Sequence, residues 1–164
     1  VLRTISFYLL YKKAYVVLKQ NGEAIEYKSD IDDFLAKMMI FINEKASDEL
    51  IADCRTMFLR AMNNSYRIMG EDAYRFAAYE DESGKSRKRP INMPLFEMLA
   101  YVFSDDCVTN NSQITRDAIN KFKDTYDYQK MLMSNVDSST NVSERFSTAK
   151  KLLEQIKHDT ANID

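Results

Sequence analysis

The chain has 164 residues, 45% of them hydrophobic and 29% charged, with 23 basic against 25 acidic side chains for a net charge of −2. That length holds one core or two small ones, and the near-neutral balance excludes a whole-surface attraction to nucleic acid while leaving room for a local basic patch. Three Gly and two Pro are too few for sheets joined by tight turns, so the composition predicts an all-α fold of long helices and short connections.

In chain order, Leu2, Ile5, Leu9, Leu10, Ala14, Val17 and Leu18 predict a first helix from about Leu2 to Lys19, stopped by Asn21-Gly22. Ser29-Asp30-Ile31-Asp32 opens a second, a serine cap with an acidic first turn, whose inner stripe is Phe34, Leu35, Met38, Met39 and Ile42. Ser47 caps a third, with Leu50, Cys54, Met57, Phe58, Ala61, Met62 and Ile68 at helical spacing before Gly70. A short helix over Glu71–Tyr79 follows, then a hydrophilic loop from Glu80 to Arg89, within which Ser83 to Arg89 has no apolar anchor to offset the entropy of ordering and is expected to be mobile.

Asn92 caps a fifth helix with Pro94 in its first turn, where a missing amide proton costs little. Leu95, Phe96, Leu99, Val102 and Phe103 make it apolar around much of its circumference, which predicts the centre of the core. Ser112 starts a sixth, with Ile114, Ala118, Ile119, Phe122 and Tyr126 inward. Asn141-Val142-Ser143-Glu144 reads as a capping box for the last, with Val142, Phe146, Ala149, Leu153 and Ile156 on one face. The expectation is about seven helices in an irregular orthogonal bundle around the central helix over about 93–104, as a single domain spanning 1–164 with no strand and no internal repeat.

Cys54 and Cys107 have the spacing of neither a zinc site nor a disulfide framework, and Cys54 sits in a helical apolar pattern that predicts burial. The longest apolar stretch, Leu2 to Leu18, is interrupted by Arg3, Lys12 and Lys13, so no membrane span is expected, and no signal-peptide pattern is present. A reduced cytoplasm fits. The first residue is Val1 rather than Met, and a piece of a larger protein is the expectation.

Val1-Leu2-Arg3, Phe34-Leu35, Ala73-Tyr74-Arg75 after Gly70, Ile91-Asn92 with Leu95-Phe96-Glu97, and Arg145-Phe146 occur in an order and rough spacing that resemble the C-terminal helical part of the GmrSD-type restriction endonuclease family. The resemblance runs from Val1 to about Ile156. Members join these helical segments to an N-terminal ParB-like nucleotide-hydrolysing domain and restrict modified or foreign DNA. The family's catalytic string, Asp-Gly-Gln-Gln-Arg, is absent here, as is any Asp-Gly pair. The resemblance therefore implies the scaffold or DNA-facing portion, partnered by a missing N-terminal domain, with no catalytic residue, metal or cofactor of its own.

Among individual residues, His158 is the only histidine and falls at the end of the last helix, where a cation suits the dipole. Asp30, Asp32 and Asp33 lack the glycine turn of a calcium loop and read as helix-start acids. Lys85, Arg87, Lys88 and Arg89 put four cations into five residues, the candidate contact for a DNA phosphate backbone. Their bland counterpart is a solvated loop balanced by Glu80, Asp81 and Glu82. Arg3, Arg75 and Arg145 lie beside apolar residues and need buried partners, for which Glu97 is the candidate acceptor; with Asn92 and Phe96 they read as structural positions. The minority reading has one of these arginines facing a phosphate. The rival function is a self-contained protein-interaction or homodimerising module without nucleic acid, motivated by nine Met and ten Tyr. Burial of Met38, Met57, Met98, Met131 and Met133 would remove that motive, whereas a bare apolar face on the first helix would point to docking.

Overall fold

Asn92 starts the segment around which everything else packs. Its side chain accepts from the Leu95 amide at 2.8 Å, Pro94 follows in the first turn, and the resulting helix carries Leu95, Met98, Leu99, Ala100, Val102 and Phe103 with no exposed surface. Each of the larger of these side chains contributes about 1.5–3 kcal/mol of burial. The computed structural model describes residues 1–13, 18–125 and 132–162. Among these the order is α1 (Leu2–Tyr11), β1 (Lys19–Gln20), β2 (Glu23–Ala24), α2 (Ile31–Glu44), α3 (Asp48–Met69), β3 (Tyr79–Glu80), β4 (Ser86–Arg87), α4 (Met93–Phe103), α5 (Ser112–Asp124) and α6 (Ser139–Ala161), with 3-10 turns at Gly70–Asp72 and Asp106–Thr109. The fold is predominantly α. The central α4 packs against α1, α3 and α6, and the buried hydrophobic residues form one cluster.

At one end of that cluster the aromatic rings meet. Phe7 lies 5.3 Å from both Phe34 and Phe146, centroid to centroid, and Tyr11 stacks on Phe146 at 4.3 Å. These contacts join α1, α2 and α6 through rings whose offset and edge-on arrangements add to plain area burial.

The structure departs from the expected elements where short polar signals admit two readings. Asn21-Gly22 is not a helix stop but the two-residue turn of an antiparallel hairpin, in which Lys19 faces Ala24 and Gln20 faces Glu23. Both turn residues have positive φ, 51° and 84°, the conformation that the Asn-Gly pair favours. α1 accordingly ends at Tyr11 rather than near Lys19, and Leu18 and Ile25 close the hairpin onto the core. Ala14, Val17 and Tyr126 of the expected stripes lie outside the described residues.

The expected helix over Glu71–Tyr79 is a single 3-10 turn at Gly70–Asp72, a turn at Ala73 and Tyr74, and irregular chain up to β3. The carbonyl of Tyr74 accepts from the Asn92 amide at 3.0 Å, and its ring packs edge-on against Phe96 at 4.5 Å. Those two tertiary contacts hold the segment beside the start of α4, in place of a continued helix. The cap of α2 is Asp30, which accepts from the Asp33 amide at 3.0 Å, and not Ser29. Ser29 accepts instead from the Ser139 amide at 2.7 Å, at the first residue of α6. α6 itself is capped by Ser138, three positions before the expected box, and the Asn141 side-chain amide donates from Nδ2 to the Ser134 and Asn135 carbonyls. α3 runs from its Ser47 cap to Gly70 as expected, and α5 starts at Ser112 behind an Asn111 cap.

Candidate functional site

Three places collect the residues on which function would rest. The first is buried. Glu97, on the central α4, is 1% exposed and receives Arg3 from α1 on one carboxylate oxygen and Arg145 from α6 on the other, the latter at 3.2 Å. Arg3 also reaches Asp137, and Arg145 donates to the Val136 carbonyl. Burial pushes the Glu97 carboxyl up, and the guanidinium of Arg3, then that of Arg145, opposes this. A carboxylate held between two guanidiniums inside a helical core ties three elements together, because separating any member strands a buried charge. Arg75, the third arginine of the set, is not here. It donates to the carbonyls of Glu71 at 3.3 Å and of Arg89.

The second place is the hydrophilic stretch read from the sequence as a loop, which forms a hairpin. β3 and β4 pair antiparallel, Tyr79 opposite Arg87 and Glu80 opposite Ser86. Asp81 organises the turn. Its Oδ1 accepts from the Ser83 amide at 3.0 Å, the Ser83 hydroxyl at 2.6 Å and the Lys85 amide at 3.0 Å, and its Oδ2 accepts from Arg87 at 2.8 Å. The Ser83 hydroxyl, then Arg87, holds the Asp81 carboxyl down at about 2.

This geometry divides the four cations of the basic run. Arg87 turns to Asp81, and Lys85 is exposed at the turn. Lys88 and Arg89 line a recess of about 410 Å³ whose other walls include Arg75, Phe76, Asn120 and Lys123. The Lys88 ammonium lies 3.0 Å from Glu71 and 3.9 Å from Asp72. Lys123 is 7% exposed and donates to the Asp72 carbonyl at 2.7 Å. Burial pushes its ammonium down to about 8, against the opposing attraction of Asp72 and Asp124. Lys123 was legible as an inward position, since it follows Ile119 by four residues and Thr115 by eight. Its meeting with a hairpin more than thirty residues upstream was not.

The third place is an apolar groove of about 250 Å³ between α1, the end of α2 and α3. Ile5, Leu9, Ile42, Leu50, Cys54 and Phe58 line it, and Val1, Ile51 and Leu59 stand at its margins 72%, 45% and 49% exposed. Among the described residues, Arg55 carries the one charged side chain in its lining.

The remaining candidates are apart from these. His158 is in the last turn of α6, 3.2 Å from the Asp159 carboxylate. Asp30 caps α2 and Asp33 pairs with Lys37, so the three acids at that helix start do not converge. Among the described residues no group of His, Cys, Asp or Glu side chains has the arrangement of a metal site, and no helix is long and apolar enough to cross a membrane. Met38, Met57 and Met98 are buried, Met133 is 62% exposed, and Met131 lies outside the described residues. Cys54 is buried, as its helical position predicts. No family model, curated protein or solved structure matches this chain.

Proposed function

We propose that this chain is a non-catalytic helical region of a GmrSD-type DNA-restriction or phage-defence protein, which carries a nucleotide-hydrolysing ParB-like domain and touches DNA. The observation that supports the carrying role is the apolar groove between α1, α2 and α3. Its size and shape suit one face of an amphipathic helix, the mode in which apolar residues at i, i+3 or i+4 and i+7 enter a neighbouring groove. With Arg55 carrying the only charged side chain of the lining among the described residues, the matching helix carries a carboxylate at its margin. A two-fold dimer centred on this part of α3 would bring Arg55 against its own copy, and like charges in contact oppose association. That charge argument favours a partner domain over a second copy.

The DNA contact falls to Arg75, Lys88 and Arg89 at the recess. Self-contained protein interaction is the second reading. The groove supports it, while the burial of Met38, Met57 and Met98 removes the argument from methionine content.

Co-purification with the ParB-like domain tests the reading. Leu59→Glu or Ile51→Glu should abolish co-elution and leave the fold intact, because both residues are half exposed. Duplex DNA should bind with an affinity that falls as salt rises, and Arg75→Ala with Arg89→Ala should flatten that slope. Co-elution without any DNA binding would leave the interaction-module reading. Dimerisation of the isolated chain, lost in Leu59→Glu, would replace the partner domain with a second copy.

A further inference from the structure

The recess beside the β3–β4 hairpin is built differently from an exposed basic loop. Four cations reach it from three separate parts of the chain, Arg75 after the 3-10 turn, Lys88 and Arg89 beyond β4, and Lys123 on α5. They are also tied to one another. Lys88 and Lys123 flank Asp72, and the Arg75 guanidinium donates to the Arg89 carbonyl. Arg89 in turn donates from Nε to the Ala77 carbonyl at 3.1 Å, a bond that uses one of the five N–H donors of a guanidinium. Among the described residues the carboxylates of the lining are Asp72 and Asp124.

We propose that this recess binds a phosphomonoester, the terminal phosphate of a nucleotide or of a DNA end. The inference extends the DNA-contact part of the proposed function and is independent of what fills the apolar groove. Charge is the first support. Among the described residues, four lining cations less two lining carboxylates leave an excess of two positive charges once Glu71 is displaced from Lys88, which matches a phosphate monoester, whose second ionisation near pH 6 makes it close to a dianion at neutral pH. An internal diester carries one negative charge.

Depth is the second support. Lys123 is 7% exposed, and a duplex backbone, held at both ester oxygens, stays outside such a wall. A terminal group enters it. Phe76 and Asn120 also line the recess, an aromatic ring and an amide, the residue types that hold a nucleotide by its base as well as its phosphate. Glu71 competes at the rim, since its carboxylate sits 3.0 Å from the Lys88 ammonium and a phosphate must displace it.

The test titrates the whole chain with inorganic phosphate, AMP, adenosine, and one short single-stranded oligonucleotide carrying either a 5′-phosphate or a 5′-hydroxyl. AMP and the phosphorylated strand should bind, shifting the amide resonances of Asn120 and Lys123, and adenosine should not. Arg89→Ala should weaken AMP about tenfold, the loss of one charge-assisted contact. Glu71→Gln should tighten it, and Lys37→Ala on α2 should change nothing. Arg89 and Glu71 are both exposed, so neither change disturbs the core. Tighter binding of AMP than of the phosphorylated strand assigns the site to free nucleotides, and the reverse assigns it to DNA ends. Equal affinity for the two strands overturns the phosphomonoester site while leaving backbone contact by DNA standing. Undiminished binding in Arg89→Ala, or no binding by any phosphate, overturns it outright.

Discussion

Arg145 and Glu97 form an ion pair 3.2 Å across in which neither side chain keeps any exposure to solvent. Arg3 adds a second guanidinium to the same carboxylate from the opposite helix. Glu97→Ala strands Arg145 fully inside without a carboxylate, while Arg3 keeps Asp137, and should cost about 3–5 kcal/mol in urea unfolding. Replacing Arg3, Glu97 and Arg145 together by Met should recover most of that loss, because a buried ionic cluster can often be exchanged for packed apolar volume. A Glu97→Ala protein within about 1 kcal/mol of the parent would mean that the cluster is not what joins α1, α4 and α6, since stranding a charge costs several times that.

Asp81 should titrate well below an ordinary aspartate. Its ionised form accepts the Ser83 hydroxyl and the Arg87 guanidinium, which holds the carboxyl at about 2 against the usual 3.8. A depressed folded value means that the hairpin gains its full support from Asp81 above pH 3.8 and loses it as pH falls from there through about 2. The amide shifts of Ser83 and Lys85 report this transition directly, and Asp81→Asn should remove it. A midpoint at the usual carboxylate value would show that the hydroxyl and guanidinium contacts are not made in solution.

Lys123 gives a second pH signature, of the opposite kind. Burial holds its ammonium at about 8 against the usual 10.5, with Asp72 and then Asp124 opposing the drop. The penalty of a buried charge is present in full below pH 8 and is relieved as pH rises toward 10.5, so Lys123 contributes a gain in stability across that interval. Carbon NMR at its Cε should find this titration. Phosphate in the recess should move the midpoint upward, so that binding near pH 8 takes up protons, readable by calorimetry in two buffers of different ionisation enthalpy. A midpoint that phosphate does not move would place the anion elsewhere.

Asn92 serves two elements at once, accepting from the Leu95 amide and donating to the Leu132 carbonyl at 3.0 Å. Asn92→Ala should cost about 1–3 kcal/mol, a lost cap together with a carbonyl left without its partner. Asn92→Asp keeps the acceptor and loses the donor, and should recover only the cap portion. Equal stability of the Ala and Asp variants in thermal unfolding would contradict the capping role.

The sequence by itself determined the helices whose signals lie within a few residues. Ser47 and Gly70 bound α3, Asn92 and Pro94 start α4, and the apolar circumference of α4 puts it at the centre. Caps and apolar spacing act through neighbouring turns of one helix, so no distant partner is needed to read them. Arginines beside apolar residues likewise demand an acceptor, and Glu97 was the carboxylate the central helix offered. Tertiary structure decided the rest. Asn21-Gly22 turns a hairpin, and the chain leaves the helical path at Tyr74, because Leu18, Ile25 and Tyr74 have core surface to reach. Only the folded chain brings Asp137 to Arg3, Lys123 to Asp72 beside Lys88, and α1 to α3 around an apolar groove. Each of these joins residues far apart in the chain, and their proximity follows from how helices pack, which no local pattern of residues encodes.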